Sequence, residues 1–185
     1  MENQHNLKPQ LVMFRPTLDN LPAIQLPAGY KIRTFQPGDE KAWEFIINNS
    51  FKYNSNFEKE IKSQKYFSPE RIIFICHGDT PVATATVWHR PEWGQYMGYL
   101  HMVGALSSHG GKGLGFQASL AALHQMKKED RLATILETDD FRIPAIKTYL
   151  RLGYKPLLIH ENQGKRWDKI FSIICRQEDI EQKNN

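Results

Sequence analysis

The segment from Tyr99 to Gly115, YLHMVGALSSHGGKGLG, constrains the fold more than any other part of this 185-residue chain. An apolar, strand-like run ends in a loop of small residues that includes four glycines, and the helix pattern FQASLAALHQM follows directly. A strand, a glycine loop and a helix N-terminus in this order can bind phosphate. Bare backbone N–H groups and the positive end of the helix dipole then meet at one place. The alternative is an ordinary tight turn that opens a helix.

Two familiar phosphate-binding motifs do not fit this glycine loop. A nucleoside-triphosphate loop needs Ser or Thr after its Gly-Lys pair, whereas Gly113 follows Lys112 here. A dinucleotide loop needs the spacing G-x-G-x-x-G, whereas Gly111, Gly113 and Gly115 give G-x-G-x-G. The residues further along the chain therefore have to indicate the ligand.

The glycine loop with Gly113 and Gly115 is followed by a helix pattern with Ala145 and Tyr149 that closes in Gly153-Tyr154. In their order and separation, these two patterns resemble the motifs of the GNAT superfamily of N-acetyltransferases. Gly113 and Gly115 match the glycines of its loop pattern, Arg/Gln-x-x-Gly-x-Gly/Ala. Ala145, Tyr149 and the pair Gly153-Tyr154 match its later helix pattern, Ala-x-x-x-Tyr followed by Gly-Phe/Tyr. The resemblance extends from about Tyr30 to Cys175, and the N-terminal part also resembles GNAT members of the mycothiol-synthase type in general pattern.

The resemblance implies a fold, a cofactor and a reaction. The implied fold is a mixed α/β (α+β) structure, with a mostly antiparallel sheet that is flanked by helices and split near an acetyl-CoA site. The implied reaction is the transfer of an acetyl group from acetyl-CoA to an amine by direct attack. The expected cofactor-binding residues are Met102, Val103, Gly104, Ala105, Gly110, Gly111, Lys112, Gly113, Leu114, Gly115 and Arg142.

Two residues depart from the family pattern. Gly110 stands where most members have Arg or Gln, and Arg142 stands where Asn is common. Gly110 removes a side-chain donor but keeps a backbone donor, and Lys112 and Arg142 supply positive charge. These departures motivate an alternative, a GNAT-like module that binds coenzyme A or an acyl-CoA without turnover.

Gly104 lies inside the apolar run that leads to the glycine loop, which predicts a β-bulge. A bulge frees backbone N–H groups, and these can stabilise the oxyanion that develops on a thioester carbonyl. The alternative is a glycine that is merely tolerated in a core strand.

Catalysis also needs an acid for the leaving thiolate and a base for the amine. The resemblance places the Tyr149 hydroxyl near the cofactor sulfur, and a phenol of ordinary pKa is protonated at neutral pH. The alternative is a tyrosine that only packs. His101 is a candidate base because it lies two residues before Val103 and titrates near neutrality, although a lone histidine on a strand is more often structural. Glu137 could act through a water, Glu92 and Glu161 lie in loops, and an amine that arrives neutral needs no base.

Other polar residues have simpler interpretations. Asp139 and Asp140 are expected to cap the helix that begins near Ile143. The seven histidines have no ligand spacing, so no metal site is predicted. Cys76 and Cys175 lie in apolar, strand-like runs and are expected to be buried free thiols.

Composition limits the class and the partners. Hydrophobic and charged contents of 41% and 24% are those of a globular protein. The net charge of +4 suits a polyanionic ligand such as coenzyme A, and no clustered basic and aromatic stripe predicts specific nucleic-acid binding. The N-terminus has no signal-peptide core and no run reaches membrane-spanning length, so a cytoplasmic location without membrane contact is expected. The expected acceptor is a small-molecule or protein amine, and the chain is a monomer or a homodimer.

The organisation along the chain is predicted as an N-terminal extended arm (1–27), a GNAT-like domain (28–177) and a charged tail (178–185). Within the domain, Trp43, Ile46 and Ile47 form the buried stripe of the first helix. The last two strands are predicted at Leu157–His160 and Ile170–Cys175.

Overall fold

The computed structural model describes residues 9–183, although not the side chains of residues 178–183. The seven strands of the described chain form one sheet in the order β2-β3-β4-β5-β6-β1-β7. The pairs β1–β7, β2–β3, β3–β4 and β4–β5 are antiparallel and β5–β6 is parallel, which confirms the predicted mixed, mostly antiparallel fold. The strands are β1 (Leu11–Arg15), β2 (Tyr30–Thr34), β3 (Ile72–His77), β4 (Thr80–Trp88), β5 (Met97–Ala105), β6 (Ala133–Thr138) and β7 (Lys155–Leu157). The helices are α1 (Glu40–Phe51), α2 (Leu114–Lys128), α3 (Ile143–Arg151) and α4 (Gln163–Lys183).

The chain divides into two compact units, of which the larger spans residues 15–135. Its core includes the predicted α1 stripe, since Trp43, Ile46 and Ile47 are fully buried. They belong to one cluster with Phe35, Phe57, Ile61, Ile72, Phe74 and Cys76. This cluster fixes α1 against the sheet and so determines what can lie beside β5.

Two glycines show that α1 and α2 cover opposite faces of β5. A Cβ on Gly98 would lie 2.6 Å from the Met126 sulfur of α2, and a Cβ on Gly104 would lie 2.8 Å from Ser50 Oγ of α1. Residues six apart in a regular strand point to the same face, because side chains alternate with period two. An extra residue between Gly98 and Gly104 therefore has to invert the alternation.

The smaller unit contains residues 9–14 and 136–183 among those described. Its strand β1 pairs with β7, with Val12 opposite Leu157 and Phe14 opposite Lys155. Helix α4 holds the chain just before β1. Arg166 donates to the Pro9 carbonyl at 2.7 Å, and Gln163 donates to the Gln10 carbonyl at 2.9 Å. The segment predicted as an extended arm thus contributes a strand, while its residues 1–8 lie outside the described chain.

Of the predicted last two strands, Ile170–Cys175 is wrong, and Leu157–His160 is displaced because the strand there begins at Lys155. The segment Ile170–Cys175 lies inside α4, and β7 ends at Leu157. In α4 the buried side chains are Trp167, Ile170 and Ile174, whose spacings of three and four are those of a helix face. Cys175 is therefore exposed, contrary to expectation, whereas Cys76 is buried as expected. Of the predicted tail, 178–183 continue α4, and 184–185 lie outside the described residues.

None of the helices in the described chain is both long enough and apolar enough to cross a membrane.

Candidate functional site

Strand β5 carries a bulge at the position where the glycine in its sequence suggested one. Thr84 of β4 pairs with Gly104, and Thr86 pairs with His101, so Ala85 faces two residues, Met102 and Val103. Met102 has a φ of 46° and is the only described non-glycine residue with positive φ that lies inside a strand. This conformation costs roughly 1–2 kcal/mol for a residue with a side chain. The parallel pairs of β5 with β6 run from Met97 to Tyr99 and therefore precede the bulge.

Gly104 has a different reason for being glycine from the one expected. It does not have positive φ, and the left-handed residue of the bulge is Met102. A Cβ at Gly104 would approach Ser50 Oγ to 2.8 Å, and Ile46 Cγ2 and Ile47 Cδ1 to 3.2 Å each. Gly104 thus permits the close approach of α1 to the strand segment that follows the bulge.

At two positions of the glycine loop the backbone has a left-handed conformation that favours glycine. After β5, the chain makes a 3₁₀ turn at Ser107–His109, and Gly111 and Gly113 follow with φ of +74° and +69°. Apart from the adjoining backbone, no atom of the described residues lies within 4 Å of the place that a Cβ would occupy at Gly111, Gly113 or Gly115. Gly110 differs, since its φ is −61° and its amide donates to the Ser107 carbonyl at 2.9 Å. The loop therefore leaves open space beside its backbone.

The start of α2 directs backbone donors into this space. Gly113 is the N-cap residue and no side chain caps the helix. The Gln117 N–H donates to the Gly113 carbonyl at 3.0 Å, so the amides of Leu114 and Gly115 have no partner within the helix. Leu114 is buried and fixes the first turn, whereas Lys112 is exposed. Open space, helix-end amides and a nearby lysine are suited to a phosphate or diphosphate group.

Three aromatic rings that the sequence did not bring together pack against one another at the turn before the glycine loop. The Tyr30 hydroxyl lies 2.7 Å from His109 Nδ1, in the turn just before Gly110. The His77 ring lies 4.9 Å from the Tyr30 ring and 5.4 Å from the His109 ring, measured between centroids. These three residues come from β2, β3 and the 3₁₀ turn, and their distance in sequence explains why no local pattern indicated the contact.

His101 lies among aromatic side chains on the α1 face of β5. Its ring centroid is 5.5 Å from that of Tyr99 and 6.2 Å from that of Trp88. Arg90 stacks on Tyr99, with Cζ 4.2 Å from the ring centroid. Burial lowers the pKa of His101 to about 4, and the positive charge of Arg90 acts in the same direction. His101 is therefore neutral at physiological pH and does not titrate near neutrality as expected.

Thr86, the cross-strand partner of His101, adds a second polar group at the bulge. Its side chain is fully buried, and Oγ1 has no hydrogen-bond partner among the residues described. The neighbouring Thr84 instead donates its hydroxyl hydrogen to the Ile73 carbonyl at 2.9 Å. The bulge thus has an unsatisfied hydroxyl opposite the candidate base.

In the smaller unit, Tyr149 lies on α3 and is buried, with 8% of its surface exposed. Burial raises the pKa of Tyr149 to about 12, and the positive charge of Arg142 opposes this rise. The hydroxyl is therefore protonated throughout the physiological range. Glu137 lies on β6 and is partly buried.

The expected caps of α3 are wrong. Arg142 is the N-cap residue and the helix has no side-chain cap. Asp140 instead accepts from Arg166 Nε at 2.9 Å, and Asp139 accepts from Gln10 Nε2 at 3.1 Å. Both carboxylates have these other partners in their own unit, so α3 begins at Ile143 without a side-chain cap and has Pro144 in its first turn.

No group of three or more His, Cys, Asp or Glu residues in the described part of the chain is arranged to hold a metal ion.

Comparison with known proteins identifies the family. The profile of the Acetyltransferase (GNAT) family matches residues 40–154. A mycothiol acetyltransferase of Thermomonospora curvata is 26% identical over 162 residues, which are 83% of this chain and 54% of that protein. A mycothiol acetyltransferase of Thermobispora bispora is 28% identical over 153 residues, which are 77% and 52% of the two chains. This chain thus spans about half the length of these curated relatives.

Solved structures agree with this assignment at the level of the fold. The crystal structure of a GCN5-related N-acetyltransferase from Sphaerobacter thermophilus aligns with a TM-score of 0.63 and 22% identity. The alignment covers 81% of this chain and 50% of that one. The family profile covers more than half of this chain and includes both the bulged strand and the glycine loop, so the chain belongs to the GNAT acetyltransferase family.

Proposed function

We propose that this protein is an acetyl-CoA-dependent N-acetyltransferase that moves an acetyl group directly to an amine. One observation carries the proposal. A bulged strand leads into a glycine loop with open space and helix-end amides, in a chain of the GNAT family. GNAT acetyltransferases generally use acetyl-CoA, and the first curated relatives are named acetyltransferases.

The glycine loop is the proposed diphosphate site. The amides of Gly111, Gly113, Leu114 and Gly115 would bind the phosphate oxygens, with help from the Lys112 charge. Gly110 belongs to the same loop, but its amide already donates to the Ser107 carbonyl, so its expected contribution is the shape of the loop. The resemblance also assigns Arg142 to the cofactor, and a guanidinium is a suitable phosphate ligand.

The bulge is the proposed site of the thioester. Met102 and Val103 face a single residue of β4, so their backbone groups depart from the regular ladder. N–H groups of the segment Met102–Ala105 would bind the pantetheine amide and the oxyanion that forms on the carbonyl. One such donor is worth about a hundredfold or more in kcat.

The reaction then requires two proton movements. The amine nitrogen attacks the carbonyl carbon, the carbon–sulfur bond breaks, the amine loses a proton and the thiolate gains one. Tyr149 is the proposed donor to the sulfur. With a pKa of about 12 it remains protonated until the carbon–sulfur bond breaks. It then donates its proton to the sulfur and takes a proton back from water.

His101 is the proposed acceptor of an amine hydrogen bond. With a pKa of about 4 its ring is neutral, so it accepts a hydrogen bond but holds a full proton weakly. The amine proton therefore passes on to water, with Glu137 as the second candidate. Alternatively, the amine enters already neutral.

Calorimetry with acetyl-CoA and a thiol-release assay over a panel of small and peptide amines test the function. Binding together with thiol release for at least one amine is expected. Tyr149→Phe should lower kcat by about a hundredfold while leaving the Kd for acetyl-CoA unchanged. Binding without thiol release across the panel would instead identify a non-catalytic module, and absence of binding would refute the proposed site.

A further inference from the structure

Helix α4 presents an exposed face that is centred on Ser172. Trp167, Ile170 and Ile174 are buried at 2–7% exposure, which turns Ser172 outward. Phe171 and Ile173 flank Ser172 and keep 38% and 42% of their surfaces exposed. Two large apolar side chains thus border one small polar residue at the surface.

Two oppositely charged residues of this face are placed symmetrically about Ser172. Asp168 precedes Ser172 by four residues and Arg176 follows it by four, and both are exposed. At about 100° per residue, each lies within about 40° of the line through Ser172. A groove of about 440 Å³ runs along this face, lined by Asp168, Lys169, Ser172, Ile173 and Arg176.

We propose that this face binds a second copy of the chain, with the two α4 helices antiparallel across a two-fold axis at Ser172. In that arrangement Asp168 of each copy lies opposite Arg176 of the other, which gives two ion pairs. A two-fold interface is self-complementary by definition, and residues placed equally about its axis with opposite charge satisfy that condition. A parallel pair would instead set Asp168 against Asp168 and Arg176 against Arg176.

The apolar residues support the same arrangement. At about 100° on either side of Ser172, Phe171 and Ile173 lie at the two edges of the contact. There Phe171 of one copy comes beside Phe171 of the other, and Ile173 beside Ile173, so part of their exposed surface leaves water. The Phe171 ring is already positioned by Trp167, at 5.7 Å between centroids. Within α4, Arg176 donates to Ser172 Oγ at 3.1 Å, so its guanidinium lies close to the axis and extends from there to Asp168 of the other copy.

The size of the surface predicts a weak dimer. Eight residue steps from Asp168 to Arg176 span about 12 Å of helix, and such a contact buries less than the roughly 1,200 Å² of a stable interface. Association should therefore depend on protein concentration. It should also weaken with salt, because the ion pairs lie at the surface.

Sedimentation equilibrium of the full chain at several concentrations tests the proposal. The wild type should dimerise reversibly, and Asp168→Arg and Arg176→Asp should each weaken association by about tenfold or more. The double variant Asp168→Arg/Arg176→Asp should restore it, because both ion pairs form again with reversed polarity. Glu58→Arg reverses an exposed carboxylate on another element and should leave association unchanged.

Circular dichroism establishes that each variant keeps its helix content. A wild-type protein that stays monomeric at several hundred micromolar would overturn the proposal. So would a dimer that both single charge reversals leave intact, or a folded double variant that fails to reassociate. None of these outcomes depends on acetyl transfer, so the proposed function is tested separately.

Discussion

Gly113 and Gly115 provide a matched pair for testing why the loop is built from glycine. Apart from the adjoining backbone, neither has an atom of the described chain within 4 Å of the place that a Cβ would occupy, so alanine meets no neighbouring element at either position. They differ in backbone conformation, because Gly113 has a φ of +69° whereas Gly115 lies in the first turn of α2. Alanine in the left-handed region costs roughly 1–2 kcal/mol, whereas alanine in a helix gains up to about 1 kcal/mol over glycine.

We therefore expect Gly113→Ala and Gly115→Ala to differ by about 2 kcal/mol in the free energy of unfolding. For a chain of this length each kcal/mol shifts Tm by roughly 2–4 °C, so the melting temperatures should differ by about 4–8 °C. Urea unfolding with an unchanged m-value provides the direct measurement. Equal midpoints for the two variants would refute the argument that Gly113 is needed for its backbone conformation.

The same pair separates stability from ligand binding. If Gly113→Ala relaxes by leaving the left-handed region, the amides of Leu114 and Gly115 move, and loss of one such hydrogen bond to a phosphate weakens acetyl-CoA binding by about tenfold or more. Gly115→Ala should retain binding, since the family pattern accepts alanine at this position. Calorimetry measures both, and an equal loss of affinity would contradict the assignment.

Three further predictions concern the bulge and the loop entrance. Tyr30→Phe removes the hydrogen bond to His109, so urea unfolding should show a loss of about 1 kcal/mol, and steady-state kinetics should show a higher KM for acetyl-CoA with kcat unchanged. Gly104→Ala should cost about 1–3 kcal/mol by crowding α1, and adding Ser50→Ala should recover part of that loss in the same assay. His101 stays neutral in the folded protein down to about pH 4, whereas the unfolded chain binds this proton below about pH 6.5. The free energy of unfolding should therefore fall by up to about 3 kcal/mol as the pH drops from 6.5 to 4. If the free energy of unfolding of His101→Gln depends on pH in the same way as that of the wild type, this argument is refuted.

Local patterns predicted the parts of the site that local chemistry determines. The strand, glycine loop and helix at 97–128 lie where the sequence indicated them, because each depends on residues that are adjacent in the chain. The bulge was also expected near Gly104, and the register places it at Met102 and Val103. The reason for Gly104 was missed, since the side chains that exclude a Cβ belong to α1, more than fifty residues earlier.

Local sequence patterns could not predict contacts between segments that are far apart in the chain. Tyr30, His77 and His109 stand on three elements, and each alone is an ordinary residue of a strand or turn. The depressed pKa of His101 similarly depends on burial and on Arg90, which lies on another segment of the same unit. A histidine in an apolar run therefore indicated a candidate base but not its protonation state.

The errors at Ile170–Cys175 and in the N-terminal arm concern the same unit of the structure. The apolar run Ile170–Cys175, rich in β-branched residues, suggested a strand, whereas the N-terminal arm was predicted only as an extended segment. In the structure Ile170 and Ile174 instead lie on the buried face of α4, so this segment is unavailable as a strand. The antiparallel partner of β7 is β1, more than a hundred residues away in sequence. Since Arg166 and Gln163 of α4 also bind the chain before β1, helix formation at the C-terminal end and strand pairing at the N-terminal end stabilise each other.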